Sequence, residues 1–111
     1  MIDYSVVVSE QAAKDLKGIF EYIAYELKSF QNAQGQLSRL EKGIFSLGNM
    51  PERFRRYKRG PWYSRGLRIM PVDNFCVFYI PDLDRQTVSI VRVMYGGRDV
   101  DSVLEQYSEE G

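Results

Sequence analysis

The chain opens on a short β-branched and aromatic stretch, Tyr4-Ser5-Val6-Val7-Val8, which suits an extended strand. Ser9 follows with a hydroxyl able to cap a helix, and Glu10 stands in the first turn after it. Leu16, Ile19, Phe20, Ile23 and Leu27 then recur at three- and four-residue steps. That spacing draws one apolar helix face, while Lys14, Asp15, Glu21 and Lys28 fall largely off it. A helix over about residues 10–27 is predicted. A second stripe, Ala33, Leu37, Leu40, Ile44 and Leu47, runs out near Gly48-Asn49 and Pro51. Two helices joined by so short a connection predict an antiparallel hairpin whose facing stripes are core.

Beyond Pro51 the helical period stops in a basic, aromatic loop that holds Gly60-Pro61. Strand patterns return at residues 67–72, where Pro71 lacks the N–H of a central ladder and so predicts an edge strand or a bulge. Asp73-Asn74 reads as a tight turn. Residues 75–80 are apolar on both alternating faces, the pattern of a strand inside the sheet and under the helices, and residues 81–84 make the next turn. Residues 87–95, rich in Val and Ile, form the last strand. Gly96-Gly97 breaks it, Asp99 can cap a short helix over about residues 99–107, and residues 108–111 are a polar tail. The order strand, helix, helix, strand, strand, strand, short helix predicts one α+β domain over residues 1–111. Its helical hairpin packs on one face of a mostly antiparallel four-stranded sheet.

Composition narrows the function. Hydrophobic residues at 44% and charged residues at 27% describe a chain that folds. The longest apolar run, residues 75–81, is far short of the roughly 20 residues that span a bilayer. The first residues carry no basic and apolar secretory pattern, and the single cysteine, Cys76, sits in an apolar run. A buried thiol in the reducing cytoplasm is therefore expected, without a membrane partner. Histidine is absent, which removes Ser-His-Asp and Cys-His nucleophilic systems, His-based zinc sites and an imidazole base. No metal or cofactor is expected. The formal charge is zero overall but uneven: residues 52–68 hold seven cations against one anion, a net +6, and the rest of the chain is −6. A cationic segment so concentrated attracts phosphates or an acidic partner.

Four runs of residues, in this order and spacing, resemble the RelE/ParE toxins, most closely the ParE-type members. They are Val8-Ser9-Glu10-Gln11-Ala12-Ala13-Lys14-Asp15-Leu16 with Ile19 and Tyr22-Ile23; Met50-Pro51-Glu52-Arg53-Phe54; Gly66-Leu67-Arg68 with Pro71-Val72 and Val77-Phe78-Tyr79; and the closing run from Ile90-Val91-Arg92 through Tyr95-Gly96-Gly97-Arg98-Asp99. The likeness extends from Tyr4 to about Leu104. It implies a toxin of a two-gene, plasmid-stabilising kind of module. A cognate antitoxin would wrap an extended C-terminal part around the toxin in a hetero-oligomer. It also implies one of two actions. ParE-like members poison DNA gyrase; RelE-like members cut ribosome-bound messenger RNA with Arg, Lys and Tyr side chains.

The resemblance assigns Arg98 the position of an arginine that stabilises phosphate charge in RNA-cutting members, and the bland alternative is a cap region pairing with Asp99 or Asp101. Arg65 and Arg68 flank the second strand near the substrate-facing cations of those members. Alternatively they are exposed charges that discourage edge pairing. A ribonuclease would use Arg68, Arg98 and Tyr95. Arg55, Arg56, Lys58 and Arg59, interleaved with Phe54, Tyr57, Trp62 and Tyr63, suit nucleic acid or an acidic antitoxin segment, against a merely solvated loop. Arg92, between valines on the expected pleat face of Val88, Ile90 and Met94, is read as a structural cation paired with a carboxylate; Tyr79 is read as packing. Two departures, Cys76 at a strand position that carries arginine in RNA-cutting members and Leu104 at their late tyrosine, with Tyr107 three residues on, favour the ParE-like action.

Overall fold

A computed structural model describes residues 3–96. Strand β1 (Ser5–Val8) leads into helix α1 (Glu10–Glu21), which a π-helical turn (Tyr22–Glu26) extends. Helix α2 (Phe30–Ser46) returns antiparallel, and a separate 3-10 turn (Pro51–Arg53) follows it. A short helix α3 (Gly60–Ser64) precedes strands β2 (Arg68–Val72), β3 (Phe75–Asp82) and β4 (Thr87–Tyr95). The sheet order is β1-β4-β3-β2, with β1 parallel to β4 and the other neighbours antiparallel. This is the predicted α+β architecture. The expected helix at residues 99–107 lies outside the described residues.

Ser9 makes the strand-to-helix corner. Its hydroxyl accepts from the Ala12 N–H at 3.0 Å and donates to the Val91 carbonyl at 3.1 Å, so one side chain caps α1 and ties it to β4. Loss of such a cap costs about 1 kcal/mol. At the other end of the hairpin, Gly48 lets β1 approach the end of α2. The Tyr4 N–H donates to the Gly48 carbonyl, and a Cβ at Gly48 would stand 2.8 Å from the Tyr4 carbonyl.

The helix predicted through Leu27 changes winding at Tyr22. The Leu27 N–H reaches back five residues to the Tyr22 carbonyl, and the wider turn rotates the stripe. Leu27 is consequently exposed instead of seated in the seam. A second departure lies in β4. Pairing with β3 slips between Phe78 and Tyr79, which oppose Arg92 and Ile90, and leaves Val91 as a bulge. Val88, Ile90 and Val93 therefore join the core under the helices, whereas Met94 belongs to the opposite face. The unbroken alternation that set Met94 beside Val88 and Ile90 is overturned by that extra residue.

The sheet has two cores. Leu40, Ile44 and Leu47 of α2 and Ala12 of α1 pack on Met70, Val77, Tyr79, Val88, Ile90 and Val93. On the far face Tyr57, Trp62, Leu67, Ile69, Phe78, Val91 and Met94 cluster. Strand β3 is apolar on both faces because both are covered. β2 is an edge strand, as Pro71 predicts, while Pro81 extends β3 past the end of its pairing with β2. The predicted turn at residues 81–84 accordingly moves to residues 83–86.

Candidate functional site

The basic segment after the hairpin is a built layer rather than a solvated loop. The Tyr57 N–H donates to the Leu67 carbonyl at 2.8 Å and the Ile69 N–H to the Arg55 carbonyl at 3.1 Å, so residues 55–57 lay a short ladder along the outer side of β2. This anchors Tyr57 and Trp62 on the far face, where the Tyr57 ring meets Phe78 edge to face at 5.9 Å. Pro61 pre-sets the first turn of α3, which carries Trp62 inward and leaves Tyr63 out. The cations then lie flat on the outside. Arg56 stacks 4.2 Å over the Tyr63 ring and donates to the Tyr63 carbonyl, and Arg65 stacks 5.0 Å over Trp62. Arg55, Lys58 and Arg59 are exposed beside them. Positive charge and aromatic planes thus share one platform, a surface suited to phosphates with bases or to carboxylates.

Three other arginines are spent on the fold. Arg53 turns back on the C-terminus of α2, donating to the carbonyls of Ser46, Asn49 and Met50, where a cation also offsets the helix dipole. Arg68, with a side chain only 17% exposed, donates to the carbonyls of Phe54 at 2.7 Å and Glu52 at 3.1 Å and lies 3.5 Å from the Glu52 carboxylate. The buried Tyr79 hydroxyl donates to the Pro51 carbonyl at 2.7 Å. Burial pushes this phenol above its ordinary pKa, against the opposing pull of Arg68 and Arg53. Arg92 pairs with Asp15 in a two-pronged contact at 2.7 and 2.8 Å, and the same carboxylate accepts the Val93 N–H at 2.9 Å. The sequence reading of Arg92 as a cation paired for structure holds, and its partner, sitting off the helix stripe, is what that reading lacked.

Cys76 lies half-buried on the far face, packed against the second core. Burial raises its thiol pKa, and the nearby Arg55 guanidinium only partly offsets this. Tyr95 stands on the other side. Its ring meets Phe75, a residue of the helix-side core, at 6.0 Å. Arg98, Leu104 and Tyr107 lie outside the described residues.

The family model for the ParE toxin of type II toxin–antitoxin systems matches residues 6–100. The chain belongs to the ParE toxin family. Solved structures share the fold of this ParE-family toxin at low identity. The chromosomal ParDE toxin–antitoxin system of P. aeruginosa is 17% identical with a TM-score of 0.69, over 83% of this chain and 95% of that one. The RelBE2 toxin–antitoxin complex of Mycobacterium tuberculosis is 21% identical with a TM-score of 0.63, over 85% and 99%. A mutant E. coli RelE toxin in the free state is 12% identical with a TM-score of 0.63, over 98% of each chain. A comparison with curated protein sequences finds no match.

In this ParE-family toxin the segment of residues 55–65 stacks Arg56 and Arg65 on rings and leaves Arg55, Lys58 and Arg59 exposed, while Arg68 is tied to carbonyls of residues 52 and 54 and the Tyr95 ring lies against the helix-side core. The second core under the platform was missed in the sequence, although its signal was present. A strand apolar on both faces needs two covers, and the hairpin supplies one. Among the described residues, no helix is long and apolar enough to cross a membrane.

Proposed function

We propose that this toxin arrests growth in the ParE manner, by surface contact with a macromolecular target, and that DNA gyrase is that target. The platform of Arg55, Arg56, Lys58, Arg59 and Arg65 makes the contact, and a cognate acidic antitoxin neutralises the toxin by covering it. Pairing with an antitoxin accords with the toxin–antitoxin assemblies among the fold's solved neighbours. The toxin would act in the cytoplasm.

One observation carries the choice of action. Of the side chains that a histidine-free ribonuclease would use, the two among the described residues are otherwise engaged: Arg68 is bound by two carbonyls and a carboxylate, and the Tyr95 ring lies against Phe75 of the helix-side core. Cleavage of a phosphodiester needs a cation and a proton carrier converging on one phosphate. A docking surface needs only exposed, rigidly held cations and aromatic planes, which residues 55–65 supply. The test is induction without antitoxin, with gyrase supercoiling and primer extension on ribosome-bound message read in parallel. Growth arrest with lost supercoiling and intact message is expected. Cut message with normal supercoiling overturns the reading in favour of a RelE-like nuclease, and harmless expression at high yield overturns toxicity itself.

A further inference from the structure

The rings of the basic segment are turned inward or already covered. Tyr57 is 9% and Trp62 4% exposed, both built into the far-face core, and the partly buried Phe54 carries the Arg53 guanidinium 4.9 Å from its ring centre. Tyr63 is the one exposed ring of residues 54–65, and Arg56 lies over it. A nucleic acid with unpaired bases needs several ring faces in succession to stack on. A single, partly covered tyrosine does not make that track. The rings instead hold cations in place. Arg56 is fixed by the Tyr63 ring and carbonyl, and Arg65 by the Trp62 ring, so two long side chains lose little rotamer freedom when a ligand arrives. Arg55, Lys58 and Arg59 are exposed in the same segment. No Asp or Glu stands between Glu52 and Asp73, and those two bounding acids lie against Arg68 and Arg39, at 3.5 and 2.7 Å. A protein partner meets a binding surface with mixed signs and few charges at its centre. A run of one sign matches a ligand whose negative charge repeats along its length, as the phosphates of a duplex do at about one per 1.7 Å of axis.

We infer that residues 55–65 grip the sugar-phosphate backbone of duplex DNA without reading its bases, so that the toxin reaches gyrase through the DNA the enzyme holds. The inference rests on the gyrase reading proposed above and names the chemistry that its platform meets. Guanidinium groups suit this contact because their fixed fork of donors matches two phosphate oxygens at once. Phosphate contacts position a protein on a duplex and carry no sequence information, so binding is independent of base order.

The probe is a short fluorescein-labelled duplex of mixed sequence, titrated with the full-length toxin freed of antitoxin and read by anisotropy across a salt series. Contacts from all five cations predict a log–log salt slope of about −4.5, so affinity is expected to fall about 500-fold between roughly 50 and 200 mM salt. Arg55→Gln with Lys58→Gln removes two exposed cations and is expected to melt like the wild type. Its slope is expected to drop to about −2.7, leaving only about a 40-fold loss over the same range. Lys58→Arg alone is expected to keep the wild-type slope. Gyrase supercoiling is measured beside it, and the double variant is expected to need at least about tenfold more toxin for the same inhibition, in line with its weaker phosphate contact. Tighter binding to a single strand of the same length overturns the duplex assignment. A toxin that stops supercoiling without binding the duplex, or a double variant that binds and inhibits like the wild type, overturns the inference and leaves the gyrase reading standing. Duplex binding with the expected slopes in a toxin that leaves supercoiling untouched supports the phosphate site and overturns the gyrase reading.

Discussion

Replacing Asp15 by alanine removes, in one step, the two carboxylate oxygens that accept from the Arg92 guanidinium and the partner of the Val93 N–H. Both charged side chains are only 14% exposed, so water cannot readily substitute. Breaking such a pair takes the carboxylate away from a desolvated cation, at about 3–5 kcal/mol, and the Val93 amide that loses its acceptor adds about 1 kcal/mol. A domain of this size has only about 5–15 kcal/mol in total, so Asp15→Ala is expected to lose a large share of its stability. Arg92→Met alone is expected to cost less, because the remaining carboxylate keeps the Val93 N–H. Once Asp15 is alanine, adding Arg92→Met removes the desolvated cation and is expected to recover about 2 kcal/mol or more. Urea denaturation of the four proteins at constant m-value, treated as a double-mutant cycle, measures that coupling. A coupling near the value for an exposed pair, about 0–1 kcal/mol, would refute the claim that Arg92 is consumed by the fold.

Tyr79→Phe leaves the Pro51 carbonyl without its buried donor and is expected to cost about 1–3 kcal/mol by chemical denaturation. Because the folded-state pKa of this phenol is raised, its contribution is complete below the ordinary tyrosine pKa and is lost as pH climbs through the folded value; the variant is expected to show a flatter alkaline limb. Asp73 behaves with the opposite sign. Its carboxylate, held low by hydrogen bonds from Arg39 and Gln36, stabilises the fold above its ordinary pKa and stops doing so as pH falls through the depressed one, so Asp73→Asn is expected to lessen acid sensitivity in a pH series of melting curves. Trp62→Ala empties the far-face core and is expected to cost about 3–5 kcal/mol in chemical denaturation. The same variant is expected to release the platform cations, seen as faster amide exchange over residues 55–65.

Local pattern determined most of the fold. The stripes at Leu16, Ile19 and Ile23 and at Leu40, Ile44 and Leu47 placed both helices, Ser9 placed the cap, and the β-branched runs placed the strands, because burial of one face at a fixed period is written in residue order. Absence of histidine and the charge imbalance around residues 52–68 likewise belong to composition and limited the chemistry before any fold was considered. Which arginines remain for a partner was decided only in three dimensions. Arg53 and Arg68 read in sequence like Arg55 and Arg65, yet carbonyls of the 46–54 turn claim them, and Arg92, read as a cation paired for structure, finds its carboxylate at Asp15, 77 positions away. The parallel pairing of β1 with β4 and the bulge that turns Met94 to the far face are equally non-local. A hydrogen bond or a strand pairing between distant segments leaves no period along the chain, so it exists only once the sheet has brought those segments together.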